Sequence, residues 1–511
     1  MTVERINSYA PATGEHILSW ESTSIDEVEK MFQISKKASV NWGQLSILER
    51  LSYFRALRDI LIAELEEATT VISKSTGKVK LDALASDIMP VLDFLSYLDK
   101  KAVSILKQQK MKTPLIFIGK KSYVEYMPRG TVAIISPWNY PFQLTMIPIL
   151  SALIGGNTVI SKPSEVTPAV GKYMEKLFAA ANFPEGVIQI AHGAKEVGQA
   201  LIDNQPDYIF FTGSVATGKV IAEQAAKHLI PVTLELGGKD PMIVCHDANL
   251  ERAAKGAVWG GFTNSGQVCM SVERLYVDER VYDVFVQLVK REVEKLMQGT
   301  NINDDIGSMT FKKQIEIVKE HVTDALTNGA KLVTGNPPEK WQEGSHFLQP
   351  IVLTDVKDNM KIIQEETFGP VLPIMSFRDE EDAIIKANSS PYGLNASIWS
   401  NDLKKARKMA SRLESGAVLI NDVLISVANH HLPFGGAKKS GIGNYHGENG
   451  LRMFCQEKAI MVDLGKRASE VQWYPYKGKY ENFSVMIESY FGSKKNWLGF
   501  LSSYLKLLKS K

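Results

Sequence analysis

Apolar positions along this chain repeat with two different periods, and the change from one to the other divides it. From about residue 26 to 110 apolar side chains fall three and four apart, most clearly in ERLSYFRALRDILIAELEEATTVI, which predicts two or three packed helices. Beyond Ser122 the chain turns to short β-rich runs, TVAIIS, NTVIS, VIQIAH and YIFFTG, separated by stretches of helical periodicity. Strands alternating with helices at this spacing predict a parallel sheet built from βαβ units. A second set of runs begins at MIVCH and continues through RLYVD and PIVLTDV to GAVLIND at residues 416–422. The predicted class is therefore α/β, with the passage between the two sets placed at Gly237 and Gly238. No internal repeat or low-complexity linker interrupts it. From Trp473 the character changes again, with WYPYKGKY followed by an aromatic, lysine-bearing segment.

Length and charge narrow the function classes. At 511 residues the chain is long enough for two or three domains with ample apolar surface to bury. Its 59 Lys and Arg against 57 Asp and Glu leave a net charge of +2, so no whole-chain field favours nucleic acid. The opening MTVERINSYAPATGEH lacks the basic-then-apolar pattern of a targeting peptide, and no run of about 18 uncharged apolar residues is present. A cytoplasmic protein is expected. Cys245, Cys269 and Cys455 are far apart and odd in number, which argues against a disulfide framework. The nine histidines show no metal-binding spacing, so no metal site is expected.

Candidate chemistry sits in five stretches. In FFTGSVATGKV, Gly213, Gly218 and Lys219 match a phosphate-binding P-loop, but Val220 stands where magnesium needs a hydroxyl. In NSGQVCMS, Cys269 is either a buried hydrophobe or a nucleophile; Asn264, Ser265 and Gly266 before it imply a turn with free N–H groups for a thiolate or oxyanion. In TLELGGKDP, Glu235 lies in an apolar strand-like run, where burial would raise its pKa toward that of a general base; a salt-bridged structural carboxylate is the equal alternative. In SPWNYPFQ, Asn139 ends a strand and could donate its amide to an oxyanion, or serve only the turn between Pro137 and Pro141. In NTVISKPSEVTP, Lys162 and Glu165 end another strand, where ribose hydroxyls or a phosphate would meet them, unless they are a solvated pair.

Taken together, PWNYPF, GNTVISKPSE, FFTGSVATGK, TLELGGK, NSGQVC, EETFGPVLP, PYGLNASI and PFGGAKKSGIG stand in the order found in the aldehyde dehydrogenase superfamily, which the chain resembles over roughly residues 120–460. The resemblance implies a Rossmann-like NAD(P)-binding domain with N-terminal helices over residues 1–237 and a second α/β catalytic domain over 238–430. It implies a returning segment with a small oligomerisation element over 431–492. A basic amphipathic tail follows at 493–511. It also implies that Cys269 attacks the aldehyde carbon, that Asn139 and the Cys269 N–H hold the oxyanion, and that Glu235 activates the water which hydrolyses the thioester. Glu366 would meet the nicotinamide ribose, with Phe368 beside the ring. Trp138, Gly213, Ser214, Gly218 and Leu236 would lie along the rest of the cofactor. Lys162 and Glu165 would meet the adenosine ribose, a carboxylate there favouring NAD over NADP.

HLIPVTLELGGK, NYPFQLT and IGNYHG, with Tyr445 and His446, look most like the branch that oxidises fatty and aromatic aldehydes, whose members are often dimers. The longer N-terminus with INSYAPATGE, and Met270 after the cysteine, depart from that branch. In the tail, Trp497, Leu501, Tyr504, Leu505 and Leu508 share a helical face, with Lys494, Lys495, Lys506, Lys509 and Lys511 around it. Such a helix suits the inner face of an anionic membrane or, alternatively, the protein's own dimer surface. A membrane site would fit a medium- or long-chain or other apolar aldehyde. Two readings from other classes compete: a P-loop nucleotide hydrolase, which Val220 opposes, and a catalytically silent relative, which intact Asn139, Glu235 and Cys269 oppose.

Overall fold

A computed structural model describes residues 5–509. Two compact units form, one comprising residues up to Lys107 together with Tyr126–Glu457, the other Gln108–Glu125 with the residues from Lys458 onward.

In the larger unit the N-terminal periodicity becomes the helices Ile25–Gln44, Ile47–Ala63, Leu65–Thr76 and Met89–Leu106. Ser24 and Ser46 start the first two with reciprocal capping boxes to Glu27 and Glu49, which satisfy N–H groups that a helix start otherwise leaves unpaired. A hairpin, Arg5–Tyr9 with His16–Glu21, precedes them and was not expected from the pattern.

The β-rich runs form two sheets. The first has six strands in the order Gly441–Ile442, Val232–Glu235, Tyr208–Thr212, Thr131–Ile135, Thr158–Lys162 and Ile188–Ile190; all are parallel except Gly441–Ile442. Connections run outward in both directions from Thr131–Ile135, so strand order reverses between it and Tyr208–Thr212. That reversal leaves a crevice at the carboxyl ends of these two strands, the place where open α/β sheets bind ligands. Helix Gln143–Ile154, buried along its whole length, packs beside them with Val132, Phe142 and Phe210 in the core.

The chain leaves this sheet at Glu235 and enters the second at Asp240. The second sheet has seven strands, ordered Lys331–Thr334, Ile351–Thr354, Val371–Phe377, Val272–Asp278, Asp240–Val244, Asn395–Trp399 and Ala417–Ile420; only Lys331–Thr334 runs antiparallel. The fold is α/β with two mainly parallel sheets.

The smaller unit carries strand Gln109–Met111, most of the strands Lys120–Pro128 and Cys455–Asp463, and the helices Tyr480–Phe491 and Trp497–Lys509. Phe500, Tyr504 and Leu507 of the last helix are buried against Met486 and Val471. This corrects the expected outward face. Tyr504 turns inward, where its hydroxyl accepts from Arg467, and Leu508 packs on the same core. Trp497, Leu501 and Leu505 stay about half exposed, and Leu498 joins them at 82%. The apolar arc is simply wide enough to be shared between a core and the surface. Lys511 lies outside the described residues.

Candidate active site

Four loops converge on the crevice. Strand Thr131–Ile135 delivers Trp138 and Asn139, and Val232–Glu235 ends in Glu235 itself. Cys269 follows the turn Thr263–Gly266, in which Asn264, Ser265 and Gly266 take φ of 50°, 56° and 71°. Three successive left-handed residues bend the chain sharply, and asparagine and glycine tolerate this best. A Cβ on Gly266 would lie 2.2 Å from the Gly369 carbonyl oxygen, so the turn is also closely packed. The fourth loop carries Glu366 and Phe368. It is fixed from beneath by the buried Lys239–Glu273 pair: Glu273 accepts from the Thr367 and Phe368 N–H groups at 2.9 Å, and Lys239 donates to Thr367 Oγ1 at 3.0 Å.

Two cavities meet at Cys269. One, of about 250 Å³, is lined by Trp138, Asn139, Gly213, Ser214, Gly237, Glu366 and Phe368; the other, of about 240 Å³, by Tyr140, Trp259, Val268, Leu424 and Phe434. Cys269, Glu235, Leu236, Leu144 and Thr212 face both. Of the twelve residues to which the resemblance gives catalytic or cofactor roles, nine therefore line one cavity. Gly218 lies behind it, packed on Leu236, whose side chain a Cβ at Gly218 would meet at 2.6 Å. Lys162 and Glu165 lie outside its lining and pair with each other at 3.0 Å, Lys162 also donating to the Gly193 carbonyl at 2.8 Å. Lys219 is solvated on helix Val215–Lys227, and Val220 beside it is 48% exposed.

The first cavity fits a dinucleotide. Ser214 caps helix Val215–Lys227 by accepting from Thr217 N–H, so the positive end of that helix opens at the cavity's edge, where a pyrophosphate is favoured. Glu366 holds its carboxylate there on the Gly238 N–H at 3.1 Å. No side chain could replace hydrogen at Gly237, because a Cβ would lie 2.2 Å from Glu366.

Burial sets the protonation of the reactive groups. Glu235 is 3% exposed, and neither carboxylate oxygen has a hydrogen-bond partner, so desolvation alone pushes its pKa well up. Burial also raises Glu366, to about 8, helped by Glu273. The Cys269 thiol is pushed up by burial first and then by the acids Asp240, Glu366 and Glu235. Asn139 is buried and donates one amide hydrogen to the Gln267 carbonyl at 3.0 Å, leaving its second for another acceptor. An unpaired carboxylate, a thiol and an amide donor thus line one cavity.

The model of the aldehyde dehydrogenase family matches residues 1–460. This chain belongs to the aldehyde dehydrogenase family. It is accordingly an NAD(P)-dependent aldehyde dehydrogenase. It is 43% identical over 467 residues to the 4,4'-diapolycopene aldehyde oxidase of a Methylomonas species, covering 91% of this chain and 87% of that one. A Mycobacterium ulcerans relative, whose name proposes a succinate-semialdehyde dehydrogenase acting with NADP, is 36% identical over 88% of this chain and 86% of its own. Among solved structures, the Mycobacterium tuberculosis aldehyde dehydrogenase complexed with NAD+ superposes with a TM-score of 0.86 at 32% identity, over 91% of this chain and 96% of that one. The NAD-dependent aldehyde dehydrogenase of Sinorhizobium meliloti gives 0.87 at 33%, over 92% and 93%. The P-loop hydrolase reading is thereby replaced: Gly213 and Ser214 lead into helix Val215–Lys227 at the edge of the first cavity.

Sequence reasoning missed the walls of the second cavity. Tyr140, Trp259, Val268, Leu424 and Phe434 come from distant parts of the chain, and no single local spacing joins them. It also missed Lys239 and Glu273, whose only signal was charge inside strand-like runs.

Proposed function

We propose that this dehydrogenase oxidises medium- or long-chain or other apolar aldehydes to carboxylic acids, with NAD preferred to NADP. The second cavity carries the reading: it ends on Cys269 and Glu235, and no Lys, Arg or His lines it. An alkyl or polyene chain gains from burial there at about 0.8 kcal/mol per methylene. The carboxylate of succinate semialdehyde would be buried without a partner, at a cost of several kcal/mol. The Methylomonas relative's name fits the apolar alternative.

Cys269 reacts as its thiolate with the aldehyde carbon, forming a C–S bond and a thiohemiacetal oxyanion. The free Asn139 amide hydrogen and the Cys269 N–H receive that oxyanion. Held in the first cavity by residues such as Trp138, Ser214, Glu366 and Phe368, NAD(P)+ would supply the hydride acceptor that lets the thiohemiacetal on Cys269 become a thioester. Glu235, once ionised, takes a proton from water, whose oxygen attacks the thioester and releases the acid and the thiolate. Glu366 and Phe368 seat the nicotinamide riboside, and Trp138, Ser214 and Leu236 line the approach to it. Lys162 is occupied by Glu165 and the Gly193 carbonyl and so offers a 2′-phosphate little. The half-exposed Glu165 would repel it.

The smaller unit serves two further roles in this reading. It has 14 Lys and Arg against 5 Asp and Glu in a chain whose net charge is only +2. Trp497, Leu498, Leu501 and Leu505 are exposed on its last helix, a combination that suits peripheral contact with an anionic membrane. Its edge strand Cys455–Asp463 exposes Met461 and Val462, which suits a homodimer contact. Among the described residues no helix is long and apolar enough to cross a membrane.

Rates across linear aldehydes from two to twelve carbons test the substrate class. kcat/KM should climb by up to about fourfold per methylene until the cavity is full. A flat series, or succinate semialdehyde as the best substrate, would refute it.

A further inference from the structure

Behind Asn139 lies a buried ion pair that the reaction as written does not use. Lys78 and Asp87 have side chains with no solvent exposure, and Lys78 Nζ donates to Asp87 Oδ2 at 2.7 Å. The same ammonium donates to the Asn139 main-chain carbonyl at 2.8 Å and sits 3.9 Å from the centroid of the Tyr140 ring. Its three hydrogens thus have three partners: a carboxylate, a carbonyl and an aromatic face. Asp87 Oδ1 in turn accepts from the Phe142 and Gln143 N–H groups, each at 3.2 Å, at the start of helix Gln143–Ile154. Asn264, from the turn before Cys269, donates its amide to the Asn139 carbonyl at 3.1 Å and to the Gln267 carbonyl at 3.2 Å. Gln267 is the residue whose carbonyl receives the Asn139 amide.

We propose that Lys78, anchored by Asp87, is the positioning residue for the oxyanion donor: by holding the Asn139 carbonyl and the Tyr140 ring it fixes the peptide from which the Asn139 amide reaches Cys269. The inference rests on the reading of Asn139 as that donor. The physical case is one of location. A buried pair is a poor source of stability, because desolvation offsets its attraction and an apolar pair of equal volume serves as well. What an apolar pair cannot do is direct a carbonyl. The pair stands where direction matters, since a donor displaced by a fraction of an ångström no longer meets the developing charge. Tyr140 also walls the substrate cavity, so one ammonium aligns the donor with the space the aldehyde enters.

The test is Lys78→Met with Asp87→Asn. Methionine replaces the stem, and asparagine keeps an oxygen for the Phe142 and Gln143 N–H groups. Two rates at Cys269 are compared: alkylation by iodoacetamide, which forms no oxyanion, and turnover of a long-chain aldehyde, which must. The expected result is a roughly 10- to 100-fold lower kcat, short of the full loss of an oxyanion donor, with alkylation rate and NAD affinity within about twofold of the parent. In an Asn139→Ala background the pair of substitutions should add less than about threefold, since effects acting through one group are not additive. An unchanged kcat, an equal fall in alkylation, or full additivity on Asn139→Ala would overturn the proposal. If Asn139→Ala itself keeps its kcat, the oxyanion reading fails and takes this one with it. Should the double variant not fold, Asp87→Asn alone is measured by the same two rates, a selective fall of about threefold or more in kcat supporting the proposal and no selective fall overturning it.

Discussion

Glu235→Gln separates the two halves of the reaction. The carboxylate is 3% exposed with both oxygens unpartnered, so glutamine fills the same volume and breaks no hydrogen bond. Burying the new amide unpaired costs about 1–3 kcal/mol of stability, which a protein of this size tolerates. What is lost is proton acceptance, a contribution of about 10²–10⁴ in rate. Only hydrolysis of the thioester needs it; attack by Cys269 and loss of hydride do not. Rapid mixing with NAD and a long-chain aldehyde, followed at the reduced-nicotinamide absorbance, should show a burst near one equivalent per active site. The steady rate after it should be about 10²–10³ times slower than in the parent. The parent's own rate carries a second signature. Desolvation raises the Glu235 pKa, and only the ionised form is a base, so kcat should rise with pH above the ordinary carboxyl range, tenfold per unit below that pKa. Glutamine should abolish that limb. If burst and steady rate fall together, or the steady rate is unchanged, Glu235 is not the hydrolytic base.

Three further outcomes follow from the geometry. Glu165→Gln removes the charge that repels a 2′-phosphate and frees Lys162, and should shift the ratio of kcat/KM for NADP over NAD upward by at least about fivefold, measured with both cofactors at fixed aldehyde. Glu366 has a pKa of about 8, and its ionised form is the stronger acceptor for ribose hydroxyls, so NAD affinity measured by titration should tighten from pH 7 to pH 9 and lose that dependence in Glu366→Gln. Leu498→Glu with Leu501→Glu and Leu505→Glu alters the exposed side of the last helix and spares Phe500, Tyr504 and Leu507; it should release the protein from sedimenting anionic vesicles with no change in turnover of a short aldehyde.

The fold was legible where one period dominated. The helices before residue 110 and the runs around Thr131, Thr158, Tyr208 and Val272 announced themselves by spacing. Strand Val371–Phe377 is less legible, because Pro373 stands inside its apolar run. The tail helix shows another limit. Periodicity says which side chains share a face, not what covers it, so Tyr504 was assigned outward and lies inside. Cys269, Glu235 and Asn139 were recognisable from their motifs, and the fold supplied the reason they meet: each ends or precedes a strand near the crevice. Lys78 gave no such sign, because its partners stand 9 and 61 residues away.

A thioester on Cys269 can be trapped and weighed. Glu235→Gln is mixed with NAD and a long-chain aldehyde, quenched in acid and digested, and the peptide containing Cys269 is weighed by mass spectrometry. Cys269 should carry the acyl group of that aldehyde, in an NAD-dependent manner, and the adduct should be absent from Cys269→Ala. Aldehyde oxidation that persists in Cys269→Ala, or an adduct carried by another residue, would contradict Cys269 as the nucleophile.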